Sequence, residues 1–328
     1  MIELYKLHWS HYVEKVMWAL DYKEIPWRGI DIDAFSKKEM RHLNARYWLN
    51  EKVKSYTVPT IHDCEFNKTV ADSTSILDYL DTQYPKTRPL IHEQHKPQIK
   101  KWLLWLDSEL GTLARRTAYS QVILERPALL SRLFLNQTLG GILVKPVISS
   151  VSGVVLSSML AQRFRILQNR EDRVYEQAFQ VLGSLAEHMK ERSFVIGNEF
   201  SAADITLATL LRPLRIVPLF RNHQAFQELF EWQTELFKHH NRAQAYIYET
   251  ELHNIRKKRG WSLGKRTWLH DSDLSVTDFG REFPPQIEGK AWNDHQSLDE
   301  KKLLLAPLDY LKLRYFSGVR KVEYANNN

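Results

Sequence analysis

A chain of 328 residues, 43% apolar and 26% charged, is long enough for two domains with sizeable cores and is ordinary in composition for a soluble globular protein. Its single cysteine, Cys64, excludes an intramolecular disulfide framework and any cysteine-built metal site, and fits a reducing compartment such as the cytoplasm. The net charge of +7 permits contact with nucleic acid or an acidic membrane, but no nucleic-acid-binding motif accompanies basic runs such as Arg256-Lys257-Lys258-Arg259, so no nucleic-acid partner is expected.

In chain order, Met1-Ile2-Glu3-Leu4 enters a strand-like segment without the basic and apolar regions of a secretory signal. Ile2 to Leu7 reads as the first strand. From Ser10 the pattern turns helical, with Val13, Val16, Met17 and Leu20 at i, i+3, i+4 and i+7. Trp27 to Ile32 reads as a second strand, and residues 36–50 as a polar, weakly helical stretch. Pro59 to His62 and Thr69 to Ala71 read as two short strands around a turn at Asp63-Cys64-Glu65-Phe66-Asn67. Ile76, Leu77, Leu80 and Tyr84 then mark one helical face that ends at Pro85. The order is β-α-β-α-β-β-α, that of a thioredoxin-like domain.

Two motifs in this half point to a ligand. Val58-Pro59 opens a β-branched run, although proline cannot donate to a sheet ladder and is confined to strand starts, edges or turns. A cis bond there would aim the backbone groups of Val58 outward, where an extended peptide can pair with them. Asp72-Ser73 precedes a helix, whose first-turn amides and dipole favour a carboxylate. Together they outline a site for a small anionic peptide.

Beyond a linker from Lys86 to about His95, the chain reads as all-helical. Ile99, Leu103, Leu106, Leu110 and Leu113 form one stripe; Val174, Ala178, Val181, Leu185 and Met189 form another; Phe226, Leu229, Phe230 and Phe237 form a third. Such stripes read as bundle core. Pro146 to Gln162 is uncharged, yet shorter than the roughly 20 apolar residues of a membrane-spanning helix, and its serines read as a buried or partly exposed helix. Membrane contact is therefore not the expectation here.

Phe200-Ser201-Ala202-Ala203-Asp204-Ile205 reads as a capping box with a hydrophobic staple. Ser201 would cap the amide of Asp204, Asp204 would reach back to the amide of Ser201, and Phe200 would pack on Ile205. From about Leu252 onward, Trp261, Trp268, Trp292 and Pro284-Pro285 precede an apolar run from Leu303 to Leu313, without a motif.

Val58-Pro59, Asp72-Ser73 and the Ser201 box, in this order, resemble the glutathione S-transferase superfamily over roughly residues 1–250. The resemblance implies a thioredoxin-like domain (1–86), an all-helical domain (95–250) and a C-terminal extension (251–328) of unknown role. It implies that Val58, beside Pro59, pairs through its backbone with the cysteinyl part of glutathione. Asp72 would receive the γ-glutamyl ammonium, and Ser73 its carboxylate. The glycyl carboxylate usually meets a Lys, Gln or His before the Val-Pro; here Tyr56-Thr57 stands there, leaving Lys54 or Lys52 as substitutes.

Trp9-Ser10-His11-Tyr12 is similar to the serine pattern of the tau, zeta and theta-like classes. Ser10 would then be the catalytic residue, donating to the glutathione sulfur, with no metal involved. His11 stands where the family usually has Pro, and Glu14 where it often has a basic residue. The residue pattern alone also fits an ordinary N-cap at Ser10, and likewise at Asp72 or Ser73, where capping and ligand binding can coexist.

Two functions follow as expectations. One is a transferase that uses glutathione as co-substrate against an apolar electrophile, in the homodimeric form typical of the family. The other is a transferase-like scaffold whose extension binds a protein or membrane partner. Cys64, with no C-x-x-C partner, is expected to be exposed and far from Ser10, and His239-His240 to end a helix.

Overall fold

The computed structural model describes residues 1–240, apart from 8, 35–36, 41–42, 44–56, 126–129, 132–133, 136–144 and 164–170, and beyond them 260–261 and 321–322. These residues form two compact units. One comprises 1–106, 191–210 and 233–240; the other comprises 107–190 and 211–232.

The first unit is built on a four-stranded mixed sheet of order β2-β1-β3-β4, from β1 (Ile2–Lys6), β2 (Trp27–Asp31), β3 (Thr60–Asp63) and β4 (Lys68–Ala71). β1 runs parallel to β2 and antiparallel to β3, which pairs antiparallel with β4. Helix α1 (His11–Tyr22) joins β1 to β2, and α2 (Ser73–Gln83) follows β4. This is a thioredoxin-like arrangement. Of the polar stretch 36–50, residues 38–40 are helical and most of the rest lies outside the described residues.

The central strands β1 and β3 are buried along almost their whole length, as befits strands covered on both faces. Their polar side chains therefore need internal partners. Glu3 accepts from Arg28 and from the Tyr5 hydroxyl. The His62 ring meets the Thr69 hydroxyl at 3.0 Å. Asp63, fully buried, accepts from the hydroxyls of Tyr79 at 2.9 Å and Tyr84 at 2.6 Å and from the amide of Glu65 at 3.0 Å. Burial, reinforced by the hydrogen bond to Asp63, holds both phenols well above the usual tyrosine range. The carboxylate thus ties the β3–β4 turn to the C-terminal half of α2.

The helical part begins with α3 (Lys96–Trp105), continues as a π-helical stretch over Leu106–Gly111 and then as α4 (Thr112–Glu125). It goes on with α5 (Pro146–Arg163), α6 (Glu171–Met189), α7 (Ala202–Leu211), a single turn α8 (Pro218–Arg221) and α9 (Gln227–His239). All three apolar stripes are buried. The π-helical stretch interrupts the first of them without exposing Leu106 or Leu110. In the second unit Phe179 of α6 meets Phe226 edge-on at 4.8 Å, and Tyr175 meets Phe220 at 5.7 Å.

Every side chain of α7 is buried. Its cap departs from the expected box in one bond. The Ser201 hydroxyl accepts from the amide of Ala203 at 3.2 Å and donates to Asp204 at 2.9 Å, while the amide of Asp204 bonds the Ser201 carbonyl. Asp204 also accepts from the amides of Ser201 at 2.8 Å and Val195 at 2.7 Å. It gathers a second backbone segment into the cap, and so draws the hydroxyl to itself.

Burial raises the Asp204 carboxyl to about 6, against the opposing pull of its hydrogen bonds. Folded chains therefore hold this proton at pH values where unfolded chains have released it. The stability linked to it is full below about pH 4 and declines by about 3 kcal/mol as the pH rises to about 6. Urea denaturation of the wild type and Asp204→Asn at pH 4 and pH 7 reads this decline as the change in their difference.

Candidate functional site

The sheet register brings the chain's motifs to one edge. Tyr5 of β1 pairs with Thr60 of β3, and Thr60 with Ala71 of β4. Neighbouring strands lie about 4.8 Å apart. Ser10 follows the end of β1, Val58 and Pro59 precede Thr60, and Asp72 follows Ala71. All therefore leave the sheet at its same end.

At Ser10 the backbone is extended, and the hydroxyl accepts from the Val13 amide at 3.4 Å. Ser10 is thus the N-cap of α1. A hydroxyl has one donor hydrogen as well as two lone pairs. Capping uses a lone pair only, so the hydrogen remains for an acceptor at the helix N-terminus. His11 is buried, with its ring 4.3 Å from that of Tyr12.

The Val58–Pro59 bond is cis, and Val58 stands before the first ladder pair of β3. Its amide and carbonyl therefore lie outside the sheet ladder. Next to them, the Thr60 hydroxyl donates to the Thr57 carbonyl at 2.8 Å.

Asp72 has φ of +75°, a conformation that costs a non-glycine residue on the order of 1–3 kcal/mol. Its exposed carboxylate accepts from the Ser75 amide at 2.9 Å and caps α2. A carboxylate has about four lone-pair sites, so the cap leaves acceptor capacity for a cation. Ser73 is buried as the first residue of α2, where amides have no partner within the helix. Lys54, with Lys52, lies outside the described residues.

The other candidates fall elsewhere. Cys64 is exposed in the β3–β4 turn, beyond the pair Ile2–Asp63, at the opposite end of the sheet from Ser10. His239 ends α9, and His240 stacks on Phe200 at 4.2 Å. Among the described residues, no cluster of His, Cys, Asp and Glu has the makings of a metal site.

Residues 4–88 match the model of the glutathione S-transferase N-terminal domain, and residues 168–239 match that of the C-terminal domain. The chain belongs to the glutathione S-transferase superfamily. Its fold is similar to that of a glutathione S-transferase of Ceriporiopsis subvermispora, solved in complex with glutathione, with 18% identity and a TM-score of 0.50 over 73% of this chain and 97% of that one. It is likewise similar to a glutathione transferase of Phanerochaete chrysosporium, with 16% identity and a TM-score of 0.50 over 73% and 96% of the two chains. A search of curated proteins found no match.

In this member of the superfamily, one contact near the site escapes sequence reading. Lys15 is fully buried, and its ammonium donates to the Thr74 hydroxyl at 2.6 Å. The bond joins the second turn of α1 to the first turn of α2, and so couples the helix that starts at Ser10 to the helix that starts at Asp72. In the sequence, Lys15 follows Glu14 and reads as the solvated side of an amphipathic helix. Thr74→Val removes an acceptor from a buried ammonium and is expected to cost about 1.5–3 kcal/mol. Thr74→Ser keeps the acceptor and should cost well under half as much; urea denaturation of the two variants checks this.

Proposed function

We propose that the chain binds glutathione at this edge of the sheet and activates its thiol for attack on an apolar electrophile. The observation that carries the reading is the common edge: in a chain of this superfamily, one end of the sheet presents Ser10, Val58 and Asp72-Ser73 together. Val58 would pair with the cysteinyl backbone as an added strand would. Asp72 would hold the γ-glutamyl ammonium in a charge-assisted bond, and Ser73 would meet the carboxylate at the positive end of α2. Lys54 is proposed for the glycyl end.

The role of Ser10 in this reading is electrostatic. A thiol with a pKa near 8.5 is mostly protonated at neutral pH. A hydroxyl that donates to the sulfur at the N-terminus of α1 favours the thiolate. The thiolate then forms the new bond from sulfur to the electrophile, and Ser10 itself forms none. A homodimer in the cytoplasm, with residues 1–86 and 95–250 as the two transferase domains and 251–328 as an extension, completes the proposal.

Calorimetric titration with glutathione is the direct test. Binding at millimolar ligand or below is expected, and its absence would favour a scaffold without catalysis. Asp72→Ala is expected to weaken binding about tenfold or more, the loss of one charge-assisted bond. Ser10→Ala should leave affinity within a few-fold but raise the pKa of bound thiol by about 2 units, equivalent to about 2.7 kcal/mol. Thiolate absorbance followed against pH measures that shift, and an unchanged titration would remove Ser10 from catalysis.

A further inference from the structure

The helix α5 inverts the usual arrangement of a surface helix. Its exposed residues are Val147 (81% exposed), Val151 (66%), Val155 (43%), Met159 (40%) and Ile148 (38%), with Ser150 beside them, while Ser149, Ser157 and Ser158 are buried with Leu156 and Leu160. At 100° per residue the five exposed apolar side chains fall within an arc of about 120°, along roughly 18 Å of helix. No charged residue occurs from Pro146 to Gln162, between Lys145 and Arg163. A helix that faces water ordinarily shows charged or polar residues on that side.

We propose that this face of α5 lies in the interfacial region of an anionic phospholipid bilayer, with the helix axis in the membrane plane. Three observations select this occupant. First, the chain carries a net charge of +7, and the exposed Lys145 stands at the start of the helix, so an acidic headgroup layer complements both. Second, two of the helix's serine hydroxyls return to its own backbone: Ser152 donates to the Ile148 carbonyl at 2.9 Å, and Ser158 to the Val154 carbonyl at 3.1 Å, whereas the buried Ser157 hydroxyl has no hydrogen-bond partner among the described residues. Hydroxyls returned to the helix backbone lower the penalty of an apolar medium. Third, the five apolar side chains that the described residues of this face present are few against the roughly 20–30 residues that each partner gives to a stable protein interface. An acyl-chain boundary needs no such complementary surface. The helix does not span the membrane; among the described residues no helix is long and apolar enough to do so.

Co-sedimentation of the full-length protein with mixed phosphatidylcholine–phosphatidylserine vesicles tests the proposal. Binding is expected to exceed that to pure phosphatidylcholine and to weaken with added salt. The double variant Val151→Glu, Val155→Glu is expected to lose it about tenfold or more, with an unchanged circular dichroism spectrum. As a second readout on a milder change, an environment-sensitive dye on Met159→Cys, in a Cys64→Ser background, should shift to the blue when vesicles are added. Failure of the wild type to bind, or equal binding by the double variant, overturns the proposal. So does a dye already blue-shifted without vesicles, which would mean that the protein's own chain covers the face. A change of mass by light scattering in the double variant, with no vesicle binding by the wild type, would assign the face to a second copy and overturn it equally.

Discussion

The ion pair of the buried Lys23 with the partly buried Asp81 is the constraint on which the first unit depends. The ammonium lies 2.5 Å from the carboxylate and also donates to the Arg88 carbonyl at 2.9 Å. Asp81 accepts in addition from the amides of Leu90 and Ile91, and the Leu90 carbonyl accepts from the amide of Ala202 at the start of α7. One ion pair thus holds the end of α1, the last turns of α2, the linker that follows and the first residue of α7. A buried pair need not add net stability over an apolar packing. What it does add is position, since removing either charge leaves the other without its charged partner.

The geometry of the candidate site follows from that clamp. Helices α1 and α2 are joined at two levels, by Lys15 to Thr74 near their starts and by Lys23 to Asp81 near their ends. The two lysines are eight residues apart and their partners seven, which is about two helical turns in each case. Two helices pinned at two levels cannot slide or pivot past each other. Their N-termini, with Ser10 and Asp72 as caps, are therefore held together at one edge of the sheet. The amides at the start of a helix lack partners within it, so the same kind of donor that takes a capping oxygen can take the carboxylate of an anionic peptide.

Much of the architecture is legible in the chain because it rests on local signals. Alternation and β-branching mark the strands, the stripe from Ile99 to Leu113 marks a buried helical face, and Ser10, Asp72 and Ser201 mark helix starts by their chemistry. Departures occur where a side chain takes partners distant in sequence. Asp204 binds the amide of Val195 and draws the Ser201 hydroxyl to itself. Asp63 lies in what reads as a turn, yet it is fully buried because two tyrosine hydroxyls of α2 and its C-cap reach it. The π-helical stretch over Leu106–Gly111 keeps the apolar spacing of the helices on either side, so nothing in the pattern marks it.

The sequence by itself determined the order of the elements, the cis-proline motif, the caps and the superfamily, since each rests on residue type and on short-range spacing. Only the tertiary structure decided that Tyr5, Thr60 and Ala71 stand in one row, because register is set by pairing between strands far apart in the chain. It alone decided that Lys15 and Lys23 are buried clamps while Val147, Val151 and Val155 are exposed. Both facts run against the ordinary preference of the residue for water or for the core. Burial belongs to the packed neighbours of a helix face, and a pattern read along one helix does not contain them.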